Sequence, residues 1–267
     1  VFVSSTLFDM PDPTNPPERE RTWQAGPVRV RVTLPKARRG DRPEPKERLT
    51  TERIVDTAMA LMAEKGYDAV SMRSLAKALD TGPASLYQHV ANRDELDQLV
   101  IDRIARRLEI PEPDPDRWDE QLKDVLRQMR DLFRDHPGSA RAAMAQIPTM
   151  EGTMRAAEGI MAICVAGGIS PQAAAWMCDL ASLYVSAVGY EEALWAQRQN
   201  STPAGEEPDH EAIDAEMVAL WNQLPPELFP LLTRYSPELT AGDGHDRFEF
   251  AADVLVAGLA AVSEKYR

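Results

Sequence analysis

Ser71-Met72-Arg73-Ser74-Leu75-Ala76-Lys77-Ala78-Leu79-Asp80-Thr81-Gly82-Pro83-Ala84-Ser85-Leu86-Tyr87-Gln88-His89-Val90 is the stretch that decides the fold. Ser71 is a hydroxyl placed to cap a helix over residues 72–79. Asp80-Thr81-Gly82-Pro83 are turn residues that one continuous helix would not carry. A second short helix follows over residues 84–90, and Ala91-Asn92-Arg93-Asp94 breaks the chain again. Either Asn92 or Asp94 can cap the next helix, from Glu95 to about Leu108. Upstream, Thr50-Thr51-Glu52 opens a helix in which Ile54, Ala58, Leu61 and Met62 recur at helical spacing, and Gly66 ends it. Two short helices joined by a tight turn and flanked by longer ones make a helix-turn-helix within a three-helix domain.

A helix that reads DNA must offer small residues at its start, so that its first turn approaches base edges and phosphates in the major groove. Gly82, Pro83, Ala84 and Ser85 meet that need, and Tyr87 and His89 can flank the groove as phosphate donors. Taken singly, Tyr87 reads equally as a core aromatic and His89 as a surface histidine. Beside the Gly-Pro turn and Arg93 they read as a DNA-contacting set.

The block Leu86-Tyr87-Gln88-His89-Val90 with Asn92-Arg93-Asp94-Glu95-Leu96 resembles the signature that follows the recognition helix in the TetR family. Ile54 to Tyr67 is similar to that family's first helix, and Ser71 to Ala76 to its second. The resemblance implies an all-α protein, with an N-terminal DNA-binding domain over residues 48–98 and a larger helical ligand-binding and dimerisation domain over 99–267. It implies that Arg73 reaches a guanine or a nearby phosphate, that Thr81, Gly82, Pro83 and Ala84 face bases, and that Ser85, Tyr87, His89 and Arg93 hold the backbone. The implied function is a repressor released from its operator by a small-molecule effector; the alternative is a DNA-binding protein without ligand control, architectural or partner-recruiting. Asp80 departs from the pattern, because the family usually ends this helix with glycine. Asp tolerates the left-handed conformation better than most residues, so the turn is expected to survive with some strain.

Beyond Pro111, Pro113 and Pro115 the pattern is helical: Trp118 to His136, Glu151 to Ala166, Pro171 to about Gln199, His210 to Gln223, and Arg247 to Tyr266. By resemblance, the Met-rich and aromatic positions Met144, Met150, Trp176, Met177, Leu180 and Tyr184 are candidates to line an effector cavity; ordinary core is the alternative. Phe250, Val254, Gly258, Ala261 and Val262 form an apolar stripe on the last helix, which suits either a two-fold helix bundle or a single-chain core. A reading helix this short contacts few bases, so a homodimer on a palindromic operator in double-stranded DNA is expected.

The net charge of −13 sits mainly in residues 99–267, which favours a neutral or cationic apolar effector. Residues 49–98 carry five Lys/Arg against eight Asp/Glu, so the reading unit exerts little nonspecific attraction. The proline-rich residues 1–47 read as a disordered or loosely attached arm, with Val28–Val32 a possible edge strand lacking a mate. Between Val28 and Arg48 stand Arg29, Arg31, Lys36, Arg38, Arg39, Arg42, Lys46 and Arg48, cations able to follow phosphates or enter a minor groove. Four scattered histidines, no HExxH, GxSxG or phosphate-binding loop, and two cysteines that suit no zinc site argue against an enzyme, a metal or a cofactor. Cys164 and Cys178 read as small core residues. Free cysteines without a framework and the lack of a long apolar run place the chain in the cytoplasm, with no membrane partner.

Overall fold

The computed structural model describes residues 21–25, 28–32, 48–144, 147–200 and 210–267. They fall in two compact units, residues 1–48 and 49–267. In the first, β1 (Arg21–Ala25) pairs antiparallel with β2 (Val28–Val32), Trp23 opposite Val30. The Val-Arg alternation therefore does have a mate. Arg21-Thr22-Trp23-Gln24-Ala25 alternates too weakly to announce itself as a strand. Lys36, Arg38, Arg39, Arg42 and Lys46 lie outside the described residues, as does most of the expected arm.

In the second unit, every regular element among the described residues is helical. α1 (Thr51–Lys65) starts where Thr50 accepts a hydrogen bond from the Arg53 amide at 3.2 Å, and it ends at Gly66 with φ of 82°. A 3-10 turn, Tyr67–Ala69, leads to α2 (Met72–Ala78). Ser71 and Ser74 close a reciprocal capping box there: Ser71 Oγ accepts from Ser74 N at 3.1 Å, and Ser71 N donates to Ser74 Oγ at 2.8 Å.

The C-terminus of α2 is where the sequence departs from the family pattern it resembles, and the geometry explains why the turn holds. Thr81 N donates to Ala76 O at 2.9 Å and Asp80 N to Lys77 O at 3.3 Å, the paired bonds of a Schellman motif. That motif needs a left-handed residue between them, and Asp80 takes it with φ of 47°. α3 (Pro83–Leu86) begins with proline in the first turn, where a missing N–H costs nothing. It is shorter than the expected 84–90, although Val90 N still donates to Leu86 O at 2.9 Å. α4 (Arg93–Ala105) is capped by Asn92, which accepts from Glu95 N at 2.8 Å, so of the two open cap positions Asn92 is the one used. Ile54, Met62, Leu75, Leu86, Val90, Leu96 and Val100 close the core of this three-helix unit.

The larger helical part comprises α5 (Trp118–Asp135), α6 (Ser139–Ala143), α7 (Glu151–Ala166), α8 (Pro171–Asn200), α9 (His210–Asn222), α10 (Pro230–Arg234), α11 (Ser236–Thr240) and α12 (Gly244–Val262). Its core gathers Leu122, Leu126, Ile163, Met177, Val185 and Phe248 from α5, α7, α8 and α12. Arg130, itself buried, ties α5 to α8 through Glu192, at 2.8 and 2.5 Å from its Nε and Nη2, and lies over the Phe248 ring. α12 begins earlier than expected because Asp243 and Asp246 form a capping box. The five-residue helices α6, α10 and α11 are too short for hydrophobic periodicity to show them. The expected boundary at residue 98 falls inside α4, which serves both parts. A left-handed residue with a Cβ costs about 1–2 kcal/mol. Asp80→Gly should therefore leave the melting temperature unchanged or raise it, whereas Asp80→Val should lower it by several degrees; equal melting of the two variants would contradict the Schellman assignment.

Candidate functional site

The start of α3 stands clear of the body. Gly82, Pro83 and Ala84 are exposed, Thr81, Ser85 and His89 are half-buried, and Tyr87 is 54% exposed, while Leu86 and Val90 turn inward and anchor the segment. Arg73 is exposed one helix earlier. The expected reading residues other than Arg93 are thus all exposed or half-buried. Gly82 is informative in a second way. Its backbone is extended, with φ of −84°, and a Cβ built on it would meet nothing within 4 Å. The fold itself places no demand for glycine at that position.

Arg93 is the exception. Its guanidinium turns inward, donating to Asp97 Oδ1 at 2.8 Å and to the carbonyls of Val70 and Tyr67, and it stacks 4.0 Å over the Tyr67 ring. Tyr67 Oη donates to the other Asp97 oxygen at 2.5 Å. Burial pushes the Asp97 carboxyl up, against the opposing hydrogen bonds from Tyr67 and Arg93. A guanidinium held by these partners brackets α4 to the turn after α1, a role that the expected phosphate contact did not include. Arg141 of α6 joins the bracket from the larger part, donating to Tyr190 Oη at 2.9 Å and reaching Asp68 at 3.4 Å.

A cavity of about 300 Å³ lies against the other side of α4. Its walls come from α4 (Gln98, Ile101, Ala105), Leu108 just beyond that helix, α5 (Met129, Phe133), the segment into α7 (Ile147, Met150, Thr153) and α8 (Ala175, Cys178, Asp179, Ser182). Of the six positions expected to line it, Met150 does. Met177 is sealed in the core, Tyr184 stacks on Phe248, and Met144, Trp176 and Leu180 point to the surface, Trp176 edge-on to Tyr266. The cavity uses the face of α8 spaced 175, 178, 179 and 182, adjacent to the one chosen from the sequence. Cys164 is buried core, and Cys178 borders the cavity with its thiol pushed up by burial to about 11.

The seam between α4 and α7 is fixed by Asp102, a residue without signal in the sequence. Its buried carboxylate accepts from Gly152 N at 2.6 Å and Thr153 N at 3.4 Å, so it caps α7 from a different helix. Its second oxygen accepts from Arg106 Nε at 2.8 Å. A Cβ at Gly152 would lie 2.7 Å from the Asp102 carbonyl oxygen, so glycine is required for the approach.

Phe250, Val254, Gly258, Ala261 and Val262 are all exposed on α12, Phe250 at 71%. Among the described residues they are therefore not a single-chain core. No helix among the described residues is long and apolar enough to cross a membrane.

A helix-turn-helix with its reading turn exposed, set on a helical body with an internal cavity, defines a class of DNA-binding regulators. The comparisons place the chain within it. Residues 54–100 match the model of the bacterial regulatory proteins of the tetR family, and residues 110–263 match the tetracyclin repressor-like C-terminal domain. The chain belongs to the TetR family of transcriptional regulators. It is 26% identical over 227 residues to an HTH-type transcriptional regulator of Saccharopolyspora erythraea, covering 83% of this chain and 91% of that one. It is 27% identical over 223 residues to the HTH-type transcriptional repressor DrrR1 of Streptomyces coeruleorubidus, covering 82% and 81%. Among solved structures, ActR of Streptomyces coelicolor in complex with (S)-DNPA shares 36% identity with a TM-score of 0.70, over 81% of this chain and 100% of that one. These relatives are regulators, not enzymes.

Arg93→Ala should lower stability by about 1–3 kcal/mol by stranding a buried carboxylate. It should leave the salt dependence of DNA binding unaltered. A fall in that slope by about 2 per dimer, the signature of one lost phosphate contact in each subunit, would return Arg93 to the DNA.

Proposed function

We propose that the chain is a repressor that grips a palindromic operator as a homodimer and is released when a small, largely apolar effector fills the cavity. The observation that carries this reading is the double use of α4. Leu96 and Val100 are locked in the core of the reading unit, while Gln98, Ile101 and Ala105 wall the cavity. An occupant that displaces one side of a rigid helix moves the other, and close packing leaves no slack to absorb the shift. ActR has been solved both without ligand and with actinorhodin, which supports the same use of the cavity here.

The dimer follows from the exposed apolar stripe on α12. Trp176 and Leu180 of α8 expose further apolar surface, and Trp176 reaches α12's end through Tyr266. A contiguous apolar surface of this kind is what a two-fold helix bundle buries.

Footprinting on the DNA flanking the protein's own gene should show two protected half-sites, and a single protected site would overturn the reading. Gly82→Asn should keep the melting temperature, since a Cβ there meets nothing and asparagine caps a helix at least as well as glycine, and should lose operator affinity because the groove has no room for the side chain; retained affinity would remove α3 from the DNA. Tyr87→Ala should weaken binding to all sequences alike. Val254→Arg should halve the mass seen by light scattering without loss of helix, and operator affinity should fall with it. An effector that binds the DNA-incompetent form about 100-fold better supplies about 2.7 kcal/mol towards release.

A further inference from the structure

The cavity carries one formal charge and few polar groups, and their placement restricts what can occupy it. Among the described residues that line it there is no lysine, arginine or histidine, and Asp179 is the one carboxylate. Cys178, beside it, stays protonated at neutral pH because burial pushes its thiol up to about 11. Asp179 is exposed at the α8 wall and makes no ion pair or hydrogen bond among the described residues. Ser182 stands three residues on, on the same helical face. On the α4 wall, Gln98 accepts through Oε1 from Thr149 Oγ1 at 3.4 Å, which leaves its amide nitrogen as a donor without a partner among the described residues.

We propose that the effector is a mostly apolar molecule carrying an amine and a separate hydrogen-bond acceptor, with Asp179 and Ser182 of α8 taking the ammonium and the Gln98 amide of α4 taking the acceptor. This rests on the reading of the cavity as the effector site. An anionic effector would enter against Asp179 with no cation on the walls to receive it. A cationic one gains a charge-assisted hydrogen bond. The arrangement also gives the effector a hold on both helices that matter. α8 belongs to the large core, and α4 carries the reading unit. A molecule bound to Asp179 at one end and Gln98 at the other fixes the position of α4 relative to α8.

The test uses the full-length protein and three carbonyl-bearing tricyclic probes: anthraquinone carrying an aminomethyl, a hydroxymethyl or a carboxylate group. Affinities are measured by calorimetry in the absence of DNA. Wild type should bind the amine about tenfold tighter than the alcohol, a figure that allows for the solvent exposure of Asp179, and the carboxylate most weakly. Asp179→Asn should erase the preference for the amine while leaving affinity for the alcohol unchanged. Gln98→Leu should weaken the amine and the alcohol together and keep the ratio between them. Equal binding of the three probes by wild type, or an amine preference that survives Asp179→Asn, would overturn the assignment of Asp179 and leave the cavity as an effector site. Failure of all three to bind would overturn both.

Discussion

α4 has to satisfy two neighbours at once, and the rest of the molecule is arranged around that constraint. One of its faces puts Leu96, Val100 and Ile104 into the core of the three-helix unit. Another supplies Gln98 and Ala105 to the cavity wall, and Ile101 and Ile104 border both. Two polar clasps keep it from slipping between these duties. Asp97 is held by Arg93 and Tyr67 towards the reading unit, and Asp102 caps α7 towards the larger part. Both carboxylates are buried, so both must stay paired, because a buried charge left alone costs several kcal/mol. Motion of α4 is thereby confined to movements that keep both clasps, which is to say movements shared with α7 on one side and with the turn after α1 on the other.

The charge distribution gives this protein a particular way of holding DNA. With a net charge of −13 it cannot rely on a broad attractive field, and the reading unit's own balance is slightly negative. The inward turn of Arg93 removes a further cation from that surface. What α2, α3 and the turn after it expose is Arg73 and Lys77, with the hydroxyl, amide and imidazole groups of Ser85, Tyr87, Gln88 and His89. Such donors position a protein on phosphates without drawing it in from a distance, so binding by this unit depends more on fit than on long-range attraction. The cations between Arg29 and Arg48 are the chain's densest basic stretch, and they immediately precede α1.

The reading unit was legible in the sequence because its determinants are local. Thr50, Ser71 and Asn92 act as caps within three residues of themselves, and the Asp80 turn is written in its own dipeptides. The bracket at Arg93 was not legible because its partners Tyr67 and Val70 lie more than twenty residues away, and on its own helix an arginine beside Asp94 looks solvated. The cavity face of α8 was hidden for a different reason. That helix is apolar or small on nearly every side, with Met177, Ala181 and Val185 in the core, Trp176 and Leu180 outside, and Ala175 and Cys178 at the cavity. Periodicity locates a buried face by contrast with a polar one, and here the contrast is missing. The α12 stripe was legible as a stripe but not as a surface, because an apolar row looks the same whether the same chain or a second one covers it.

Glycine separates what the fold requires from what it merely permits. At Gly152 and Gly189 a Cβ would press within 2.7 Å of the Asp102 carbonyl and 2.8 Å of the Phe133 side chain, so helix packing alone accounts for them. At Gly82 and Gly258 a Cβ would meet nothing, and neither backbone is left-handed. Gly258, in the middle of an exposed apolar stripe, weakens its own helix, since glycine loses the most freedom on folding. Gly82, at the N-cap of α3, forgoes the side-chain cap that Ser, Asn or Asp would supply. Nothing inside the chain repays that cost. In the function proposed, both stand where a second molecule comes close to the backbone, DNA at α3 and another copy of the chain at α12. The two surfaces that packing leaves unexplained are the two that the proposed function needs.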